Sequence, residues 1–332
     1  MSHHHVALYR KYRPQTFSDV VGQESVLQVL TASIATKKIS HAYIFCGGRG
    51  TGKTTVARIF ARDIGCHDED IIEIDAASNR GIDEIRELRE AVRTSPFSSP
   101  YKVYIIDEAH MLTKEAANAL LKTLEEPPSH VIFILATTDP DKLPETIVSR
   151  CQKLVFKVPA LHVLSERLMY VAKKEGVPVS DDVSTLIALH GKESYRDALG
   201  VLEQVLTLPS HTYTDVALFL GEPDAHIGIA LLRAMCEKKV PEIIASITKL
   251  KSHSSSLRSY DMLIELIRQA LLCRIAGEGN CSRDGALLGK EFPLYINSKL
   301  IIELLEKRKL VVASDAHSWT AFEVIMLSLV GE

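Results

Sequence analysis

Apolar and polar positions along the chain follow two regimes. As far as about residue 160, short apolar runs alternate with stretches of helical spacing; beyond Leu161 only helical spacing remains. From Glu24 to Ala35, the residues Val26, Leu27, Leu30 and Ile34 recur on one helical face. Ala42-Tyr-Ile-Phe-Cys46 is a continuous run rich in aromatic and β-branched residues and reads as a buried strand, after which Val56 onward returns to helical spacing. Ile71 to Asp75 predicts a second strand, Ala76 to Gly81 a loop, and Ile82, Ile85, Leu88 and Val92 one face of a helix that ends before Pro96. Tyr101 to Ile106 predicts a third strand. Thr113 predicts the N-cap of a helix with Ala116, Ala119, Leu120 and Leu124 on its apolar face, closed by Pro127-Pro128, and Val131 to Ala136 predicts a fourth strand. Leu143 to Cys151 reads as a short helix ending in a basic residue, Arg150. Such alternation predicts an α/β domain, a parallel sheet covered on both faces with its ligand loops at the carboxyl ends of the strands.

The helical part begins with three stripes: Leu164, Leu168 and Val171; then Val183, Leu186, Ile187 and His190; then Leu199, Leu202 and Val205 in a helix from Arg196 to Leu206. Turn residues cluster at Gly221-Glu-Pro-Asp224, predicting a boundary. Helices follow over 227–236, 243–250 and 257–275, a break at Gly277-Glu-Gly-Asn280, and helices over 299–306 and 319–329. This last region carries no motif with chemistry.

The chemistry lies in the first regime. Gly47, Gly48, Arg49, Gly50, Thr51, Gly52, Lys53 and Thr54, followed by Thr55, match the G-x-x-x-x-G-K-[ST] phosphate loop between a strand and a helix. Its glycines let successive N–H groups turn toward a polyphosphate, and the helix N-terminus adds partial positive charge. Lys53 is expected to reach the β/γ-phosphates of ATP and Thr54 to ligand Mg²⁺. Asp107-Glu108 closes the third strand in the Walker B manner, Asp107 as a Mg²⁺ ligand and Glu108 to polarise the attacking water. Thr137 or Thr138, at the end of the fourth strand, reaches the γ-phosphate or that water. Arg10, in the cluster Leu8-Tyr-Arg-Lys-Tyr-Arg-Pro14, belongs either to a solvated arm or to the nucleotide pocket.

Composition adds limits. The 332 residues are 46% hydrophobic and 24% charged, ordinary for a globular protein with two or three domains, and no run has the length of a membrane span. A net charge of −3 gives no overall nucleic-acid signature. The six cysteines are scattered, predicting buried thiols in a reducing, cytoplasmic setting and no disulfide framework. His3, His4 and His5 read as a tag remnant or frayed terminus.

Taken in order, the runs YRKYRPQTFSDVVGQE, IDEAHMLTKEAANALLKTLEEPP, LATTDPDKLPETIVSRC and SYRDAL, together with the phosphate loop, resemble the gamma/tau subunits of bacterial DNA polymerase III, AAA+ motors of sliding-clamp loaders. The resemblance is dense from Leu8 to about Leu206 and thin beyond. It implies an AAA+ P-loop domain over 1–160, a helical lid over 161–222 and an all-α oligomerisation collar over 223–332. It also implies that Arg10, Val20 and Val21 line the adenine pocket, and that Thr138 or Thr137 is the sensor-1 residue. Arg196 would be the sensor-2 arginine, and Arg150 in Ser149-Arg150-Cys151 a finger reaching into a neighbour's site. The implied function is ATP-driven loading of the clamp on primed DNA within the polymerase III holoenzyme. The implied partners are delta, delta-prime and further gamma/tau subunits, the sliding clamp and primer-template DNA, with no membrane. A non-hydrolysing assembly module is the other class; a helicase, suggested by Asp107-Glu-Ala-His110, lacks its second motor domain. Relatives carry a four-cysteine zinc module where this chain has only Cys66-His67-Asp-Glu-Asp70, so no zinc is expected. The absence of a Pro- and charge-rich extension after Glu332 implies a gamma-like product or a truncated chain.

Overall fold

A computed structural model describes residues 6–78, 88, 90–276, 288 and 295–331. The chain divides into two compact units, Met1–Pro209 and Ser210–Glu332. In the first, five parallel strands, β1 (Ala42–Cys46), β2 (Ile71–Asp75), β3 (Lys102–Asp107), β4 (Val131–Thr137) and β5 (Gln152–Val155), form one sheet in the order β2-β3-β4-β1-β5. β1 and β4 are buried along their whole length because both sheet faces are covered. Tyr43 and Phe45 of β1 face α2 (Glu24–Ala35) and α3 (Lys53–Asp63) through Val26, Leu30, Val56 and Phe60. Ala42, Ile44 and Cys46 face the opposite layer, where α4 (Lys114–Glu125) brings Ala116, Leu120 and Leu124. The Thr113 hydroxyl caps α4 by accepting the Ala116 N–H, as the sequence predicts. The helix expected around Ile82 and Ile85 lies outside the described residues.

The strand order matters more than the strands. β4 sits between β1 and β3, with Cys46 opposite Thr137 and Ile106 opposite Leu135. The end of β4 therefore emerges between the phosphate loop and Asp107. The fifth strand was not among those expected, because only Leu154 of its four residues is buried and an edge strand of that kind has almost no apolar signature. After the short α5 (Glu145–Val148) and β5 come α6 (Leu161–Lys174), α7 (Asp181–His190) and α8 (Tyr195–Val205). The opening helical turn α1 (Leu8–Lys11) is tied to these helices: Leu8 N–H bonds Glu203, Lys11 pairs with Glu175 at 2.8 Å, and Arg167 donates to the Tyr12 carbonyl.

One buried carboxylate holds the return into β3. Asp70, 1% exposed, accepts the N–H groups of Phe97, Ser98 and Ser99 at 2.6, 3.1 and 3.0 Å. Burial opposes its ionisation, but these hydrogen bonds prevail and hold its pKa at about 2. Because the folded value lies below the unfolded one, the stabilisation is complete above about pH 4 and is lost as pH falls toward 2. Asp70→Asn should cost about 1–3 kcal/mol at neutral pH. Its denaturant midpoint should also change less than that of the parent between pH 5 and pH 2; equal acid sensitivity would remove Asp70 from the account.

The second unit is all-helical: α9 (Tyr213–Phe219), α10 (Ala225–Cys236), α11 (Val240–His253), α12 (Ser256–Ala276), α13 (Ser298–Ala313) and α14 (Ser318–Gly331). Its core gathers Leu231, Met235, Ile243, Ile247, Tyr260, Ile267, Phe322 and Met326, and the Tyr260 hydroxyl donates to the Leu304 carbonyl at 2.9 Å. α9 was not expected; only Val216 is buried while Tyr213, Leu218 and Phe219 are exposed, so no single apolar face announces it. The cysteine reading needs one correction. Cys46, Cys66, Cys151 and Cys236 are free thiols, but Cys273 is disulfide-bonded. Pairing depends on the approach of two Cβ atoms in space, which spacing along the chain does not reveal.

Candidate active site

The phosphate loop leaves β1 at Gly47 and ends at Gly52, the left-handed residue before α3. A Cβ on Gly47 would lie 2.4 Å from the carbonyl oxygen of Phe156, so the residue just after β5 presses directly on the start of the loop. Gly50 has φ +70°, and a Cβ there would lie 1.9 Å from Ser194 Oγ; only glycine lets the loop and the start of α8 meet. Tyr195 N–H donates to the Gly50 carbonyl at 3.2 Å, and Tyr195 Oη donates to the Val21 carbonyl at 2.9 Å.

These elements enclose a cavity of about 620 Å³. Arg10, Val20, Val21, Arg49, Gly50, Thr51, Gly52, Lys53, Thr54, Thr55, Asp107, Glu108 and Arg196 all line it; Gly47, Gly48, Thr138 and Arg150 do not. The basic-aromatic cluster is thus cavity wall, with Tyr9, Tyr12, Arg13 and Pro14 beside Arg10. Seven basic side chains (Arg10, Arg13, Arg49, Lys53, Arg58, Arg167 and Arg196) face four acidic ones (Asp19, Glu73, Asp107 and Glu108), an excess suited to a polyanion.

Lys53 is buried and donates to the carbonyls of Gly47 and Gly48 at 2.9 and 2.7 Å. Burial lowers its pKa, against the opposing pull of Glu108 and Asp107. Thr54 Oγ1 donates to Asp107 Oδ2 at 2.8 Å, joining the first turn of α3 to the end of β3. Asp107 Oδ1 accepts the Glu108 N–H at 3.0 Å, and Glu108 takes up a left-handed backbone at φ +47°. Thr138 Oγ1 donates to Glu108 Oε2 at 3.2 Å. Of the two threonines at the end of β4, Thr137 is wholly buried against His110, leaving Thr138 to meet the carboxylate. Arg150 stands apart: its guanidinium bonds Glu125 and the Thr146 carbonyl, each at 2.8 Å.

A family model described as DNA polymerase III, delta subunit, matches residues 22–81 and 69–160. The chain is 43% identical to DNA polymerase III subunit tau of Bacillus subtilis, over 74% of this chain and 47% of that one. It is 37% identical to the tau subunit of Escherichia coli, over 81% of this chain and 45% of that one. The chain belongs to the DNA polymerase III gamma/tau family. It spans about half the length of these curated relatives. Among solved structures, the gamma/tau chain is similar to the Thermotoga maritima RuvB Holliday junction branch migration motor, with a TM-score of 0.53 and 21% identity, covering 68% of this chain and 80% of that one. That likeness concerns the fold, an AAA+ P-loop domain.

The donor set fits the ligands this family implies. Thr54 Oγ1 and Asp107 Oδ2 are oxygen donors already side by side, which is what a hard cation such as Mg²⁺ requires. Two residues of the gamma/tau site are not singled out by the sequence, Arg13 on the cavity wall and His110 outside it. Arg13, whose Nε donates to Thr55 Oγ1 at 3.0 Å, sits three residues beyond Arg10 in the same cluster; burial lowers its pKa. His110 is the other, hidden in the sequence behind the acidic pair it follows. Where the family's zinc module is expected, the buried Cys66 thiol donates to the Tyr101 carbonyl, and burial pushes its pKa up to about 11. Among the described residues no cluster of three or more His, Cys, Asp or Glu side chains is arranged to hold a metal.

Proposed function

We propose that this gamma/tau chain is an ATP-driven motor subunit of the bacterial sliding-clamp loader, acting within DNA polymerase III to open the clamp and load it at primer-template junctions. The carrying observation is the bond from Thr54 to Asp107 with Glu108 beside it on the wall of a basic cavity, and Thr138 donating to Glu108 from outside that wall. Lys53 would release the Gly47 and Gly48 carbonyls and donate to the β/γ-phosphates of ATP. Thr54 and Asp107 would hold Mg²⁺, which when bound neutralises charge on those phosphates. Glu108, steadied by Thr138, would accept a hydrogen bond from the attacking water, and Arg196 would donate to the γ-phosphate. Val20 and Val21 would offer apolar contact to adenine, with Arg10 at the mouth.

In this reading residues 1–160 bind nucleotide, 161–222 form the lid and 223–332 the oligomerisation collar. Partners are the delta and delta-prime subunits, further gamma/tau copies, the clamp and primed DNA, in the cytoplasm. ATP turnover should rise when clamp, partner subunits and primed DNA are supplied together; turnover indifferent to all three would oppose the proposal. Glu108→Gln should retain ATP binding yet hydrolyse about 10²–10⁴-fold more slowly, because the water loses its base while the phosphate contacts remain. Unimpaired hydrolysis by that variant would remove Glu108 from its role.

The chain is further proposed to hold no structural zinc. A protonated, backbone-bonded Cys66 is a poor ligand, and His67 is its sole His or Cys neighbour in the segment. Elemental analysis of the chain freed of its first five residues should find no stoichiometric zinc; one tightly held ion per chain would overturn this.

A further inference from the structure

A second polar side chain reaches the carboxylate of Glu108. The chain leaves β3 through the left-handed Glu108 and folds into one tight turn, with the Met111 N–H bonded to the Glu108 carbonyl at 2.8 Å. That turn brings the imidazole of His110 back beside the side chain two residues earlier. His110 Nδ1 lies 3.0 Å from Thr137 Oγ1 and 3.4 Å from Glu108 Oε2. The His110 side chain is 11% exposed and is not part of the cavity lining.

Donor and acceptor roles narrow what this arrangement does. A carboxylate only accepts, so the approach of Nδ1 to Glu108 is attractive when Nδ1 carries a proton. The same N–H is then hydrogen-bonded to Thr137 Oγ1, with Glu108 Oε2 farther from the nitrogen at 3.4 Å. Thr137 is wholly buried at the end of β4, and its Oγ1 also accepts the Asp139 N–H at 3.1 Å, so it is a fixed post. Thr138 Oγ1 addresses the same Oε2 at 3.2 Å. Thr138 therefore holds one oxygen of Glu108 by a hydrogen bond, a protonated Nδ1 of His110 at 3.4 Å attracts that same oxygen, and Oε1 is left to accept from a water.

We propose that His110 is a positioning residue for Glu108: anchored on Thr137, it restrains the carboxylate from a side that the cavity does not reach, and fixes which oxygen meets the nucleophile. The proposal rests on the reading of Glu108 as the water-polarising group. A misplaced catalytic group loses rate steeply while ground-state binding, carried by the phosphate loop, is unaffected.

The test compares three variants in single-turnover ATP hydrolysis by the assembled protein, with nucleotide affinity and melting temperature measured alongside. His110→Ala should slow hydrolysis about ten- to a hundredfold at unchanged ATP affinity. His110→Asn, which keeps an N–H near the Nδ1 position, should recover most of that loss. Glu108→Gln is the control for the underlying reading. If Glu108→Gln is silent but His110→Ala turns over at the parent rate, the positioning role is wrong and the reading of Glu108 stands. If Asn is as slow as Ala and both melt earlier, His110 serves packing alone and the proposal falls. Normal hydrolysis by Glu108→Gln defeats the reading itself, and the proposal with it.

Discussion

Complexes assembled from Arg150→Ala chains should bind ATP normally and hydrolyse it about 10³-fold more slowly. Arg150 does not line its own chain's cavity, so its loss removes no contact to that chain's nucleotide. A finger supplied by a neighbour instead stabilises charge on the transferring phosphoryl group, which is a transition-state contribution. In the present structure the guanidinium rests on Glu125 and the Thr146 carbonyl, with the side chain 35% exposed, a tether weak enough to exchange for a phosphate. Arg150→Lys should rescue little, since a single ammonium cannot copy the planar fork. Complexes of defined order, mixing Arg150→Ala with Lys53→Ala chains, decide the matter. Activity should survive only where an intact Arg150 faces an intact phosphate loop. Activity that follows each chain's own Arg150 would place the arginine in cis, and an earlier melting temperature without catalytic loss would reduce it to a helix-end stabiliser.

Lys53→Ala should weaken ATP binding by roughly one and a half to three and a half orders of magnitude, the cost of truncating one partner of a buried charge pair at about 2–5 kcal/mol. Its direct stability effect should be small by comparison, because the ammonium is itself buried at the cost of desolvation and the carbonyls it leaves can turn to water. Equilibrium titration with a fluorescent ATP analogue, beside a thermal melt of the free chain, separates the two. An affinity within twofold of the parent would mean that the loop binds phosphate through its backbone alone.

Much of the site could be read from the chain because its parts are local. The phosphate loop is a contiguous string, and Asp107-Glu108 follows a run that is buried from Val103 to Ile106. What depends on how strands are ordered could not be read in that way. Nothing in the spacing says that β4 enters between β1 and β3, yet this brings Thr138 to within 3.2 Å of Glu108. The choice between Thr137 and Thr138 rests on a single step of register, since consecutive residues leave a strand on opposite sides. Arg13 is not separable from Arg10 in the sequence, because three arginine and lysine residues within four positions look alike until the turn of α1 sorts them. β5 was overlooked because an edge strand with one buried residue lacks a period to detect.

Tyr195 and Arg196 are consecutive residues. The first reaches the Val21 carbonyl with its hydroxyl and the Gly50 carbonyl of the phosphate loop with its N–H; the second stands on the cavity wall, with its guanidinium over the Tyr9 ring at 5.9 Å. Val21 is thus connected to the backbone of Arg196 through one tyrosine side chain and one peptide unit. If the cavity takes a nucleotide as proposed, α8 would serve as the arm of a short lever, by which contact at Val21 would set the angle of Arg196.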